Sequence, residues 1–249
     1  MKSEPQTFAA AFAEATHAAA CRHLLRHDDQ EDLCFALWYP SVGTRRQSAL
    51  IRELVLPQPG DRRVHGNASF SGDYFARVVS LAVEKRAGIA LMHSHLGPGW
   101  QGLSRDDYVA EDRLAGRAQA ATGLPFVGVT FGNDGSCSAR FWRRTEPRVY
   151  VPDWCESVRV AGHALRMTYH PELKPLRSAG AALERTVGVL GERGQADFSR
   201  LALGIAGLGS VGSLVNEAVA RMGSSDLTHV EYDTIEERCE RAPRSADSR

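Results

Sequence analysis

Residues 88–107 read GIALMHSHLGPGWQGLSRDD, and the organisation of the chain turns on them. The run GIALMHSH, residues 88–95, is short and apolar with a polar end, the pattern of a buried strand whose end emerges at His93. Alternate side chains of a strand share a face, so His93 and His95 point one way and Ser94 the other. A loop with Gly97, Gly99 and Gly102 around Trp100 follows, and Ser104-x-x-Asp107 opens a predicted helix over residues 104–122. Taken singly, each piece has an ordinary explanation. The histidines could be half-exposed strand ends, and the serine and aspartate could be a helix cap, one satisfying an orphan N–H and the other complementing the dipole. Together, a strand that delivers two imidazoles and a helix start that delivers a carboxylate supply three ligands with a fourth position open, the catalytic form of a zinc site.

Working outward, EDLCFALWYP (31–40) and SALIRELVLP (48–57) are β-rich runs closed by prolines and separated by SVGTRRQ, the pattern of adjacent strands. Residues 74–86 read as a helix. LPFVGVTFG and SCSARFWRR read as strands joined by Asn133, Asp134 and Gly135, which supply hairpin turn chemistry. Upstream, Phe8, Phe12, Ala15 and Ala19 recur at helical spacing in an alanine-rich segment, so an amphipathic helix with surface histidines is expected over residues 7–27. Residues 149–178, with Pro152, Pro171 and Pro175, read as a strand pair or linker. The first part of the chain is therefore mixed α/β.

Beyond that linker the pattern changes. LALGIAGLGSVGSLVNEAVARMG (201–223) reads as strand, glycine turn and helix, and LTHVEYD (227–233) as the next strand. Gly207-x-Gly209-x-x-Gly212 in this setting, with Glu231 and Asp233 about 20 residues on, is a nucleotide-fold pattern: glycines permit close approach, phosphates rest on the helix N-terminus, and an acid reaches the ribose. The spacing does not choose between NAD and ATP. The last residues, EERCERAPRSADSR, have almost nothing to bury and are expected to be a disordered tail.

Composition narrows the partners. The 249 residues carry 30 basic and 30 acidic side chains, so no basic excess points to nucleic acid or an anionic membrane. Cysteines at 21, 34, 137, 155 and 239 form no C-x-x-C pair, which argues against a disulfide framework or a four-cysteine zinc module and fits a reducing cytoplasm. The N-terminus lacks secretory-signal features, and no apolar run reaches membrane-spanning length. A hydrolytic site also needs a base. Asp28, Asp29, Glu31 and Asp32 lie upstream, with Glu53 and Glu84 more distant, and position selects none of them.

EDLCFALW, then HSH, then WQGLSRDD with an acidic helix and GLPFVGVTFGNDGSCSARFW, resemble the JAB/MPN metalloprotease domain with its JAMM motif. More closely, the chain is similar to bacterial fusions of such a domain with a ThiF-like adenylating domain. The resemblance covers nearly the whole sequence. It implies a cytidine-deaminase-like mixed sheet flanked by helices over residues 1–178, and over 179–249 a partial Rossmann-like β-α-β unit, the opening of a ThiF-like domain. It places zinc on His93, His95 and Asp107, the general base on Glu31 and an oxyanion-stabilising hydroxyl on Ser104. The reaction implied is hydrolysis of an isopeptide or peptide bond, with a ubiquitin-like protein or a peptide as substrate.

Two departures from the family pattern stand out. Leu96 replaces the usual proline, and the loop before Ser104 is one residue longer than the common form. Counting by common length selects Asp106, whereas the rigid S-x-x-D helix turn selects Asp107, because a glycine loop absorbs an insertion. Nucleobase deaminases use H-x-E with P-C-x-x-C, and neither is present. Trp100 either contacts substrate or packs onto its own domain. In the second unit the resemblance implies ATP, held by Gly207, Gly209, Gly212 and Asp233, but the Asn-Leu-x-Arg element, the magnesium-binding acid and any later catalytic cysteine are missing. Adenylation by this chain alone is not expected. The rival readings are a nucleotide-binding or adenylating protein with an accessory front domain, and a metal-free MPN scaffold.

Overall fold

The computed structural model describes residues 7–176 and 180–232, and the chain divides into two compact units, the first running to Pro175 and the second starting at Leu176. Asp233, Cys239 and the rest of the tail lie outside the described residues. The protein is a mixed α/β chain whose first unit is built on one curled, nine-stranded mixed sheet.

In chain order the first unit comprises β1 (Thr7–Ala13), α1 (Glu14–Leu24), β2 (Leu33–Val42), β3 (Arg46–Val55), a small hairpin of β4 (Arg62–His65) and β5 (Asn67–Phe70), and α2 (Gly72–Glu84). It continues through β6 (Gly88–Ser94), α3 (Arg105–Thr122), β7 (Phe126–Phe131), β8 (Cys137–Glu146), β9 (Val149–Trp154), β10 (Ser157–Ala161) and β11 (Leu165–Tyr169). The large sheet has the order β11-β10-β1-β3-β2-β6-β7-β8-β9. Its curl brings strands far apart in that order together: the Phe8 and Phe141 rings lie 5.0 Å apart, and the Cys137 amide donates to Thr168 Oγ1.

Period-two alternation sorts the core. From β2, Cys34, Ala36 and Trp38 face the interior of the curl, where Met92, Phe141 and the α1 residues Ala20 and Leu24 join them. Leu33, Phe35 and Leu37 face the other side, against Tyr74, Phe75 and Val78 of α2 and Leu114, Ala115 and Ala118 of α3. Each large side chain buried in this way contributes about 1.5–3 kcal/mol. β6, buried along its whole length, runs through the middle of the sheet with β2 antiparallel on one side and β7 parallel on the other. Its odd-numbered residues Ile89 and Leu91 face the α2–α3 layer, so continued alternation puts His93 on the side that α3 covers.

The N-terminal expectation is corrected. Residues 7–13 form a strand parallel to both β3 and β10, and the helix begins only at Glu14. Phe8, Ala10 and Phe12 also fit a period of two, and sheet pairing on both sides outweighs the helix propensity of the alanines. His17 is buried rather than on the surface, hydrogen-bonded to Gly135 O at 2.8 Å, and His23 bonds Leu33 O at 3.0 Å. The expected strand pair or linker over 149–178 includes three strands, all members of the large sheet. Pro152 fits because β9 is its edge, where a missing N–H costs no ladder bond.

The second unit contains α4 (Glu184–Ser199, broken at Gly191 where φ is 73°), β12 (Ala202–Ala206), α5 (Ser210–Arg221) and β13 (Asp226–Val230), with the two strands parallel. Gly207 makes the turn after β12 at φ 83°, and its N–H bonds Val230 O at 2.8 Å. Gly209 caps α5. A Cβ on Gly212 would fall 1.8 Å from Gly207 O, so the helix closes on the loop only with glycine there. The Leu208 N–H of this loop donates to the Glu231 carboxylate.

Candidate metal centre

His93 lies near the C-terminal end of β6, in register with Leu33 on one side and Thr130 on the other. The His95 amide extends the β6–β7 ladder by one bond, to Phe131 O at 2.8 Å. Both imidazoles therefore leave a rigid strand on the same face, and their Nε2 atoms come within 3.2 Å. Asp107 arrives from the first turn of α3: His95 Nε2 is 3.2 Å from its Oδ2 and His93 Nε2 3.3 Å from its Oδ1. Among the described residues these three form a group whose ligand atoms all lie within 4.8 Å of one another, an arrangement that could hold a metal ion. His93 is buried and the other two are half-buried. Two imidazole nitrogens and a carboxylate oxygen suit zinc and related divalent transition metals.

The helix cap is real and serves the site. Ser104 Oγ accepts from Asp107 N at 3.1 Å, and Asp107 Oδ2 accepts from Ser104 N at 3.0 Å, a reciprocal capping box. The cap locks the carboxylate that faces the histidines. Because the Ser104 oxygen is the acceptor, its hydroxyl proton stays available to donate. Asp106 lines the same cavity but is not in the three-residue group. Burial works against ionisation of Asp107, but hydrogen bonds from His93, His95 and Ser104 outweigh it and hold the carboxyl far below the usual range. The Asp107 hydrogen bond raises the His95 pKa against desolvation, and the negative charge of Glu31 adds to the rise.

The cavity in front of the group has a volume of about 380 Å³ and is lined by Glu31, Asp32, Ser104 and the three candidate ligands, with Ala68 and Phe70 from the small hairpin as an apolar wall. The upstream acids now separate. Asp28 is held by Arg26, Glu53 pairs with Lys85, and Asp29 and Glu84 are exposed and do not line the cavity. Asp32 is buried and already accepts from Arg26, Arg62 and its neighbour Leu33 N. Among the described residues, Glu31 remains as the upstream cavity acid whose carboxylate is not tied into such an ion-pair cluster.

The glycine loop is pinned to the domain. Trp100 packs with ring centroids 5.0 Å from His170 and 5.9 Å from Trp154, and the backbone around it is bonded to the β7–β8 turn. Packing onto its own domain is therefore what Trp100 does here.

Sequence reading missed the floor of the site. Glu111, one helical turn after Asp107, is fully buried and paired with the equally buried Arg140. The Trp142 indole donates to Glu111 Oε2 at 2.6 Å, and Arg140 Nη1 to Thr130 Oγ1 at 2.8 Å, which in turn lies 3.3 Å from His93 Nε2. Gly128 makes room, since a Cβ there would sit 2.2 Å from Glu111 Oε2 and 2.6 Å from Arg140 Nε. Two signals pointed to this network: an acid four residues after Asp107 on the same helix face, and an arginine inside an apolar strand.

In the second unit, Gly207, Gly209 and Gly212 form the loop described above. Asp233 lies outside the described residues. No helix among the described residues is long and apolar enough to cross a membrane.

No protein-family model and no curated protein matches the chain. Among solved structures, the solution structure of protein DSY2949 from Desulfitobacterium hafniense is similar over 62% of this chain and 95% of that one, at 12% identity and a TM-score of 0.34. A likeness that remote carries no argument about the site.

Proposed function

We propose that the first unit is a zinc-dependent hydrolase of the JAB/MPN, cytidine-deaminase-like type that cleaves an isopeptide or peptide bond, with the tail of a ubiquitin-like protein or a peptide as substrate. The observation that carries this reading is the meeting of His93, His95 and Asp107 in a cavity that Glu31 and Ser104 also line. The three ligands would hold zinc, which when bound lowers the pKa of a coordinated water to about 7 and polarises a carbonyl. Glu31 takes a proton from the attacking water as the C–O bond forms and the carbonyl electron pair moves onto its oxygen, then delivers that proton to the amine as the pair returns and the C–N bond breaks. The Ser104 hydroxyl, with its oxygen committed to the cap, donates to the oxyanion that develops on the carbonyl, a contribution of about 3 kcal/mol to lowering the barrier. Ala68 and Phe70 give an extended substrate an apolar surface beside the ligands.

Metal analysis of protein purified without added zinc, combined with cleavage assays on isopeptide-linked and linear modifier conjugates, tests this. About one zinc per chain is expected, with loss in His93→Ala. Glu31→Gln should keep the zinc and lose about 10²–10⁴-fold in rate, the usual range for a positioned acid–base group. A wild-type protein without metal would overturn the reading and favour a scaffold.

The second unit is read as a ThiF-like, Rossmann-type β-α-β unit. Its loop N–H at Leu208 is already met by Glu231, and α5 buries none of its residues. Purified protein should show no ATP–pyrophosphate exchange, and measurable exchange would overturn that expectation.

A further inference from the structure

The ligands come from two segments joined by the loop of residues 96–103, and the turn between β7 and β8 holds that loop through a dense set of bonds. Asn133 Nδ2 donates to Leu96 O at 2.5 Å and the Asn133 amide to Gly97 O at 2.9 Å. The Gly99 amide donates to both oxygens of Asp134 at 3.2 Å, and Ser136 Oγ to Gly99 O at 2.8 Å. Gly132 is part of the arrangement: a Cβ there would sit 2.8 Å from Ser136 Oγ, 2.9 Å from Asp134 Oδ1 and 3.0 Å from Gly97 O. A turn needs none of these outward bonds to reverse the chain, and hairpin chemistry alone does not require glycine to make space for a neighbouring loop.

We propose that Asn133 and Asp134 are positioning residues for the metal centre, which clamp the loop between His95 and Ser104 so that the three ligands converge before any metal arrives. This rests on the metal-site reading above. A loop with Gly97, Gly99 and Gly102 has many conformations to lose, and the turn makes that loss part of folding, so metal binding does not bear it. The turn's hydrogen bonds to the loop go to the backbone of Leu96, Gly97 and Gly99, so it acts through the loop backbone, which also lets a loop of unusual length present Ser104 and Asp107 correctly.

The test compares Asp134→Ala with Asp134→Asn, whose amide oxygen still accepts from the Gly99 and Ser136 amides. Affinity for Zn²⁺ is measured by chelator competition on folded protein well below its Tm, and the Co²⁺ absorption spectrum and the Tm of the metal-free protein are recorded alongside. Asp134→Ala should weaken zinc about tenfold or more, the range seen when groups supporting metal ligands are removed, and should alter the Co²⁺ spectrum. Asp134→Asn should restore both. A merely structural turn would lower Tm and leave affinity unchanged. If Asp134→Ala does not fold, Asn133→Ala carries the same expectation. Wild-type affinity in the alanine variant, or an asparagine variant as weak as the alanine one, overturns the proposal while the metal site stands. A wild-type protein that binds neither ion overturns both.

Discussion

Glu111→Ala is expected to cost about 3–5 kcal/mol of stability, read as a large fall in the urea midpoint of the metal-free protein, because it strands a fully buried guanidinium. Both side chains of the pair are fully buried, and the ring of Trp154, 5.4 Å from the Arg140 guanidinium carbon, cannot satisfy its N–H donors. The Trp142 indole loses its acceptor in the same substitution. The double variant Glu111→Leu with Arg140→Met should recover most of the loss, since an apolar pair of similar volume often matches or exceeds a buried ion pair in stability. A single variant that loses less than about 1 kcal/mol would mean that water or another acceptor reaches Arg140. The comparison bears on function because a buried ion pair is a poor stability device. Its position one helical turn below Asp107, with the Thr130 hydroxyl leading on to His93, ties it to the candidate metal centre.

How much of this was legible in the sequence depended on how local the cause was. The β6 strand, the hairpin carrying Asn133–Gly135 and the capped helix α3 are set by apolar periodicity, turn residues and a cap within a few positions of one another, and the sequence showed all three. β1 was not visible, because TFAAAFA satisfies two periods at once and the choice is made by β3 and β10, which lie some 40 and 150 positions away. In the site, His93, His95 and Asp107 were legible because strand alternation and the S-x-x-D turn each fix a direction. Position alone chose no base and only the resemblance pointed to Glu31; what the fold adds is that Arg26 and Arg62 close on Asp32. Nor could spacing show that the Ser104 cap and the placing of the Asp107 carboxylate against the histidines are one device: the box that opens the helix also aims the carboxylate.

Asp107→Asn should weaken zinc by more than about a hundredfold, beyond the 10–100-fold that supporting groups account for, while Asp106→Asn leaves the affinity within about twofold. The amide can still complete the cap through its oxygen, so the comparison isolates the charge that faces the histidines. The same variant gives a signed pH test in the metal-free protein. Asp107 has a depressed folded pKa, so its contribution is present above the unfolded value near 3.9 and is lost as pH falls through the folded one. His95 has a raised folded pKa, so its contribution is full below about 6.5 and disappears as pH rises through the folded value. Wild type should therefore exceed Asp107→Asn in metal-free stability most between roughly pH 4 and 6.5, with the gap narrowing above neutrality. Zinc affinity should run the other way, strengthening as pH rises, because a metal must displace the proton that Asp107 helps His95 to hold. Opposite pH slopes for metal-free stability and metal affinity, both flattened in Asp107→Asn, are the signature of one carboxylate serving proton and metal in turn; a stability gap that stays constant from about pH 5 to above about 8 would show that Asp107 acts without coupling to His95.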